Sequence, residues 1–174
     1  MKTVAIAALA AASTLSVAHA QDSVADGVNL GIGYSVLSVD DVDFDAVNLR
    51  AGYDFNDYFG VEAETLIGVG EEDFSIGAVS GDAELNYSFG AYGKAQYPVT
   101  DQFSVFARAG WVTSEVEADI AGLAIDESED GLAYGAGAEY RFTDKHGVRA
   151  DYTRYDFDDD AEADLYSASY VYRF

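Results

Sequence analysis

The stretch Val47-Asn48-Leu49-Arg50-Ala51-Gly52-Tyr53-Asp54-Phe55-Asn56-Asp57-Tyr58-Phe59-Gly60-Val61-Glu62-Ala63-Glu64 reads as two alternating series joined by a turn. Val47, Leu49, Ala51, Tyr53 and Phe55 occupy one phase, and beyond Asn56-Asp57 the apolar phase resumes at Phe59, Val61 and Ala63. The positions between them hold Asn48, Arg50 and Gly52, then Gly60, Glu62 and Glu64. Successive strand side chains point to opposite faces, so a period of two is a strand with one greasy face and one polar face. Asn-Asp is turn chemistry, and a hairpin turning there sets Arg50 opposite or diagonal to Glu62 and Glu64.

The same pattern recurs along the chain. Apolar alternation marks segments at Val28-Leu30-Ile32-Tyr34-Val36, Leu85-Tyr87-Phe89-Ala91, Phe103-Val105-Ala107-Ala109-Trp111, Leu132-Tyr134-Ala136-Ala138-Tyr140-Phe142, Val148-Ala150-Tyr152 and Tyr166-Ala168-Tyr170-Tyr172-Phe174. With the two segments of the hairpin this makes eight expected strands. Their other face carries serine, asparagine and glycine, and six of the eight basic residues that follow residue 20: Arg50, Lys94, Arg108, Arg141, Arg149 and Arg173, interleaved with Glu62, Glu64, Glu139 and Asp151. Opposite charges sharing one face are what a narrow polar lumen requires, because an unpaired buried charge is costly. These ten residues are the expected lumen ionic network. Alternation by itself also fits a soluble barrel with its apolar face turned in around a ligand.

Connections near 56–58, 98–102 and 143–147 are short, and Asp57, Asp101 and Asp144 recur in them at intervals of 44 and 43 residues. Links at 38–45, 70–84, 114–130 and 156–164 are long and acidic. Short and long connections alternate, as expected of a barrel with short periplasmic turns and long external loops. Aromatic residues including Tyr53, Phe55, Phe59, Tyr97, Phe103, Tyr140 and Phe142 crowd the short turns, which reads as an interfacial girdle.

Composition bounds the rest. Met1-Lys2, an apolar run over 4–12 and Ala18-His19-Ala20 form a signal peptide of residues 1–20, giving a mature domain of 21–174. That run is too short to cross ~30 Å of hydrocarbon, and no later run reaches the roughly 20 apolar residues of a membrane helix. The chain has no cysteine, hence no disulfide framework or lipidated cysteine. A net charge of −23 excludes nucleic acid, which needs a basic face. The only histidine after the leader is His146, in a short turn, so the base of a hydrolase is missing and no enzyme or cofactor is expected. Gly31-x-Gly33 and Gly135-x-Gly137 lack the rest of a dinucleotide fingerprint and read as room for long lumen side chains. The aspartates of 40–45 and 156–164 are dense enough to suggest Ca²⁺ or Mg²⁺, but without an ordered ligand spacing they read as solvated loop surface, and no metal site is assigned.

The blocks Asp54–Glu64, Gly135-Ala136-Gly137-Ala138-Glu139-Tyr140-Arg141-Phe142 and Gly147-Val148-Arg149-Ala150-Asp151-Tyr152 resemble the small outer-membrane β-barrels often labelled porin family proteins, a group that includes outer membrane protein X and the barrel of outer membrane protein A. The resemblance implies an eight-stranded antiparallel up-and-down transmembrane barrel in the outer membrane, with outer-membrane lipid and lipopolysaccharide as its surroundings. Tyr170, Tyr172 and Phe174 resemble the C-terminal aromatic signal read by the barrel-assembly machinery. An eight-stranded barrel is just wide enough for its side chains to fill, so a side-chain-plugged lumen and a structural or surface-interaction role are expected. A narrow channel for ions or small solutes and a soluble periplasmic ligand-binding barrel are the alternatives. The external partner of the acidic loops is not legible.

Overall fold

A computed structural model describes residues 27–39, 42–69, 72–76, 79–120, 123–157 and 161–174. The expected leader, Asp40 and Asp41, and the aspartates at 158–160 lie outside the described residues. The strands are β1 (Val28–Val39), β2 (Val42–Asp54), β3 (Phe59–Gly68), β4 (Glu72–Ile76), β5 (Val79–Pro98), β6 (Phe103–Ile120), β7 (Leu123–Arg141), β8 (His146–Phe157) and β9 (Glu162–Arg173). Chain neighbours pair antiparallel except β3 and β4, and β1 pairs with β9. Residues 59–67 of β3 pair with 87–95 of β5, while β4 pairs with 79–83 of the same strand. β3 and β4 thus follow one another along one side of β5 and make a single stave, and the whole is a closed barrel of eight staves. Closure is what hydrocarbon demands, since it offers no partner to an open edge.

The two faces divide as the alternation requires. Ile32 and Leu132 are each 54% exposed and Trp111 48%, all pointing out of the barrel, whereas Arg108 and Glu64 are each 2% exposed inside it. That orientation removes the soluble ligand-binding alternative, which needs its apolar face inside. The outward aromatics form two belts. Phe55, Phe59, Tyr97, Tyr140, Phe142 and Phe174 ring the short-turn end, and Tyr34, Tyr87, Trp111, Tyr134 and Tyr166 ring the other. Only the first was expected from sequence.

The three short turns use one device. Asn56 Oδ1 accepts from the Tyr58 and Phe59 amides (2.8 and 3.0 Å), Thr100 Oγ1 from that of Phe103 (2.9 Å), and Thr143 Oγ1 from that of His146 (3.0 Å). The residue preceding each recurrent aspartate therefore holds the turn, satisfying amides that the ladder leaves free.

Two expectations change. The long acidic links are largely strand: β6 and β7 stay paired to Ile120↔Leu123, β1 and β2 to Val39↔Val42, and β8 and β9 from Asp156↔Glu162. Backbone ladders form above the membrane as readily as within it. The ladder also slips by one residue between Leu85 and Tyr87, a β-bulge that places Asn86 outside the regular alternation. Secondly, the inner face is not polar throughout. Toward the long-hairpin end it carries Leu37, Phe44, Leu66, Val112, Tyr155 and Leu165, all buried in one apolar cluster.

Candidate functional site

The inward charges form one connected chain. At the short-turn end Arg173 reaches Glu139 (2.7 Å) and Asp54 (2.9 Å). Lys94 Nζ lies 2.8 Å from Asp54 Oδ1 and 3.2 Å from Glu62; the ammonium is not aligned to donate to Oδ1, so that contact is an ion pair without a hydrogen bond. Arg149 grips Glu62 through both nitrogens (2.5 and 3.0 Å) and reaches Asp151 (3.0 Å). Asp151, Arg50, Glu64 and Arg108 then close a four-membered ring: Arg50 contacts Glu64 and Asp151, as does Arg108 at 2.8 and 3.0 Å. The Arg108 guanidinium also donates to Thr153 Oγ1 (2.6 Å). Four of the five cations are arginine, whose forked, planar guanidinium suits service to two carboxylates at once.

Five cations (Arg50, Lys94, Arg108, Arg149, Arg173) face five anions (Asp54, Glu62, Glu64, Glu139, Asp151), so the network sums to zero. Apolar rings support it: the Arg149 guanidinium sits 3.7 Å from the Phe106 ring centroid and that of Arg108 4.4 Å from Tyr92. Such contacts suit cations removed from water.

The ladder register shows how a narrow barrel accommodates these long side chains. Arg50 has Glu64 as one cross-strand neighbour and Gly31 as the other; Gly90 stands beside Glu64, Gly135 beside Arg108 and Gly137 beside Asp151. A Cβ added at Gly137 would come within 2.5 Å of both the Phe106 ring and Asp151 Cβ. Glycine is thus required there by the approach of neighbours.

Above the charges lies a hydroxyl and amide layer. Asn48 donates to Ser35 (2.7 Å), Ser35 and Ser167 share a hydrogen bond (2.7 Å), Ser169 donates to Asn48 (3.1 Å), and Ser114 donates to Ser88 (2.9 Å). The apolar cluster follows. Below the charges, a vestibule of about 630 Å³ opens at the short-turn end, lined by Asp54, Arg141, Arg173 and turn residues.

Of the ten residues expected to share the lumen, the structure brings nine together. Arg141 stands apart at the vestibule rim, where it donates to the Asp101 carbonyl (2.8 Å), because its position is the last of β7 and lies level with the turns. Asp54 was missed; it is the final polar-phase residue of β2, and continuing the alternation by one step would have found it. Tyr92 and Phe106 were missed because aromatics in the polar phase break a binary pattern. His146 is at the short-turn end, its ring hydrogen-bonded to the Tyr170 hydroxyl and stacked on Phe142. Among the described residues no group of three or more His, Asp or Glu side chains has the geometry to hold a metal ion.

A closed antiparallel barrel with an apolar exterior, two aromatic belts and charges confined to its interior is a transmembrane barrel of outer-membrane type. The family model described as outer membrane protein beta-barrel domain matches residues 7–174, and the chain belongs to that family; its place is the outer membrane. Among solved structures it is similar to Ail, the attachment invasion locus protein of Yersinia pestis, at 23% identity over 86% of this chain and 99% of that one (TM-score 0.62). It is similar also to OprG from Pseudomonas aeruginosa, at 14% identity over 86% and 96% (TM-score 0.65). The N-terminal barrel of Pseudomonas aeruginosa OprF shares 12% identity over 84% and 97% (TM-score 0.61). These likenesses concern the fold. Among curated protein sequences none matches.

Proposed function

We propose that this protein is a sealed outer-membrane barrel, inserted to support the envelope and to present acidic hairpins to the outside, and that it is not a pore. The observation that carries this reading is the neutral five-against-five ion network lying beneath an apolar layer. Each arginine or lysine serves two carboxylates, so opening a path means stripping several buried charges of partners at once, at about 3–5 kcal/mol for each broken pair. The vestibule is in this reading a blind entrance ending at Asp54, Lys94 and Arg173.

Planar-bilayer recording tests it. The expected result is no stable conductance from the refolded wild-type barrel; large, steady ohmic openings would establish the narrow channel instead. The outside surface is expected to be selective by charge. Ail has been solved in complex with sucrose octasulfate, a heparin analogue; the hairpins here are acidic, and a polysulfated ligand would meet repulsion. In the same proposal residues 1–20 are a removed leader, Tyr170, Tyr172 and Phe174 are what the assembly machinery reads, and lipopolysaccharide surrounds the outer belt.

A further inference from the structure

The vestibule at the short-turn end presents polar groups that neither the strand ladder nor the ion network uses. It measures about 630 Å³, within the ~300–1,000 Å³ of small-molecule sites. Its floor is made by Asp54 and Arg173, paired with each other at 2.9 Å. Toward the mouth, Gln96 and Ser104 continue the inward phases of β5 and β6, and Asp57 and Arg141 stand among the turns. Among the described residues no hydrogen bond or ion pair engages the Gln96 amide, the Ser104 hydroxyl or the Asp57 carboxylate, and the Arg141 guanidinium holds only the Asp101 carbonyl.

We propose that the vestibule binds a neutral saccharide ring, either a free sugar or the end of a glycan chain. The floor selects against ions. An ammonium or carboxylate reaching it must displace a formed pair, because Asp54 is already shared by Arg173 and Lys94, and Arg173 also serves Glu139. A hydroxyl donates to a carboxylate while accepting from a guanidinium, and so joins the Asp54–Arg173 pair without breaking it. Around the vestibule Asp54, Asp57 and Asp101 are matched by Arg141, Arg173 and, behind the floor, Lys94, so no net charge draws an ion in. Nearer the mouth an amide, a hydroxyl, a carboxylate and a guanidinium offer donors and acceptors in mixture. A ring bearing several hydroxyls engages both kinds at once, and replaces water there without losing hydrogen bonds. The inference rests on the reading of the vestibule as a blind entrance.

The test uses the full mature chain refolded in lipid nanodiscs, titrated with glucose, glucosamine, glucuronate and glycine. Nuclear magnetic resonance follows the Gln96 side-chain amide and the Arg141 Nε–H. Glucose is expected to shift both signals saturably with a Kd on the order of 1 mM, and the cationic, anionic and zwitterionic probes to bind at least about fivefold more weakly. Gln96→Ala and Arg141→Gln should each weaken glucose binding about threefold or more, while the heat-modifiable gel shift reports an intact barrel. Asp144→Asn, in the turn that does not line the vestibule, should leave binding unchanged. Charged or zwitterionic probes binding as tightly as glucose, shifts confined to other residues, or no saturable shift overturns the proposal. Cellohexaose binding as tightly per chain as glucose assigns the site to glycan ends, and its exclusion assigns it to free sugar. Release of glucose from loaded vesicles refutes the seal proposed above and leaves the site in place.

Discussion

At the residue scale the lumen charges differ in what their loss does. Glu64 serves Arg50 and Arg108 together, and Glu64→Gln leaves two buried guanidinium groups short of charge. We expect a loss of about 3–5 kcal/mol, read from urea unfolding in lipid vesicles. Arg141 has a turn carbonyl as its partner, so Arg141→Gln should change stability by no more than about 0.5 kcal/mol. Replacing Arg50 and Glu64 together by Met and Leu should cost less than Glu64→Gln alone, since no charge is left buried without its partner. Gly137→Leu should cost about 1–3 kcal/mol by overpacking against Phe106 and Asp151. The carboxylates and guanidinium groups were legible in sequence because charge in the polar phase of a strand is conspicuous. Which carboxylate each arginine chooses was not. Glu139 is the ladder neighbour of Arg149, yet Arg149 grips Glu62 across the barrel and leaves Glu139 to Arg173. Cross-barrel choices depend on closure and stagger, which a local pattern does not carry.

At the element scale the eight staves were legible, but strand length was not, and β4 falls in the stretch 70–84 read as a link. Acidic residues at 114–130 suggest a loop because aspartate and glutamate are poor strand formers, but above the membrane β6 and β7 gain from their mutual ladder whatever their side chains. The apolar plug hides for a related reason: Leu37 and Phe44 fall in or beside a stretch read as a link, and Leu66 interrupts a polar phase. The outward phase is the stricter one. Ala136 lies on β7 with Ala107 as its ladder partner, in the smooth band between the two aromatic belts. Ala136→Arg there should destabilise insertion by about 2–4 kcal/mol, measured by folding into vesicles against urea.

At the scale of the whole molecule, charge is segregated. The chain carries a net charge of −23, yet the buried network of five cations and five anions contributes none of it. Neutral interior and apolar belt let the barrel cross the membrane. The closed fold should show itself as a boiled form and an unboiled form that migrate differently in a detergent gel. Because the chain contains no cysteine, single substitutions probe its faces on a clean background. The most direct measurement is the reaction of N48C, A136C and D57C with a water-soluble methanethiosulfonate and with an apolar maleimide, in the folded protein in vesicles. A sealed barrel predicts that D57C reacts with the aqueous reagent, A136C only with the apolar one, and N48C with neither until the protein is boiled. Reaction of N48C with the aqueous reagent at the rate of D57C would mean that water fills the lumen, and the account of a plugged barrel would be wrong.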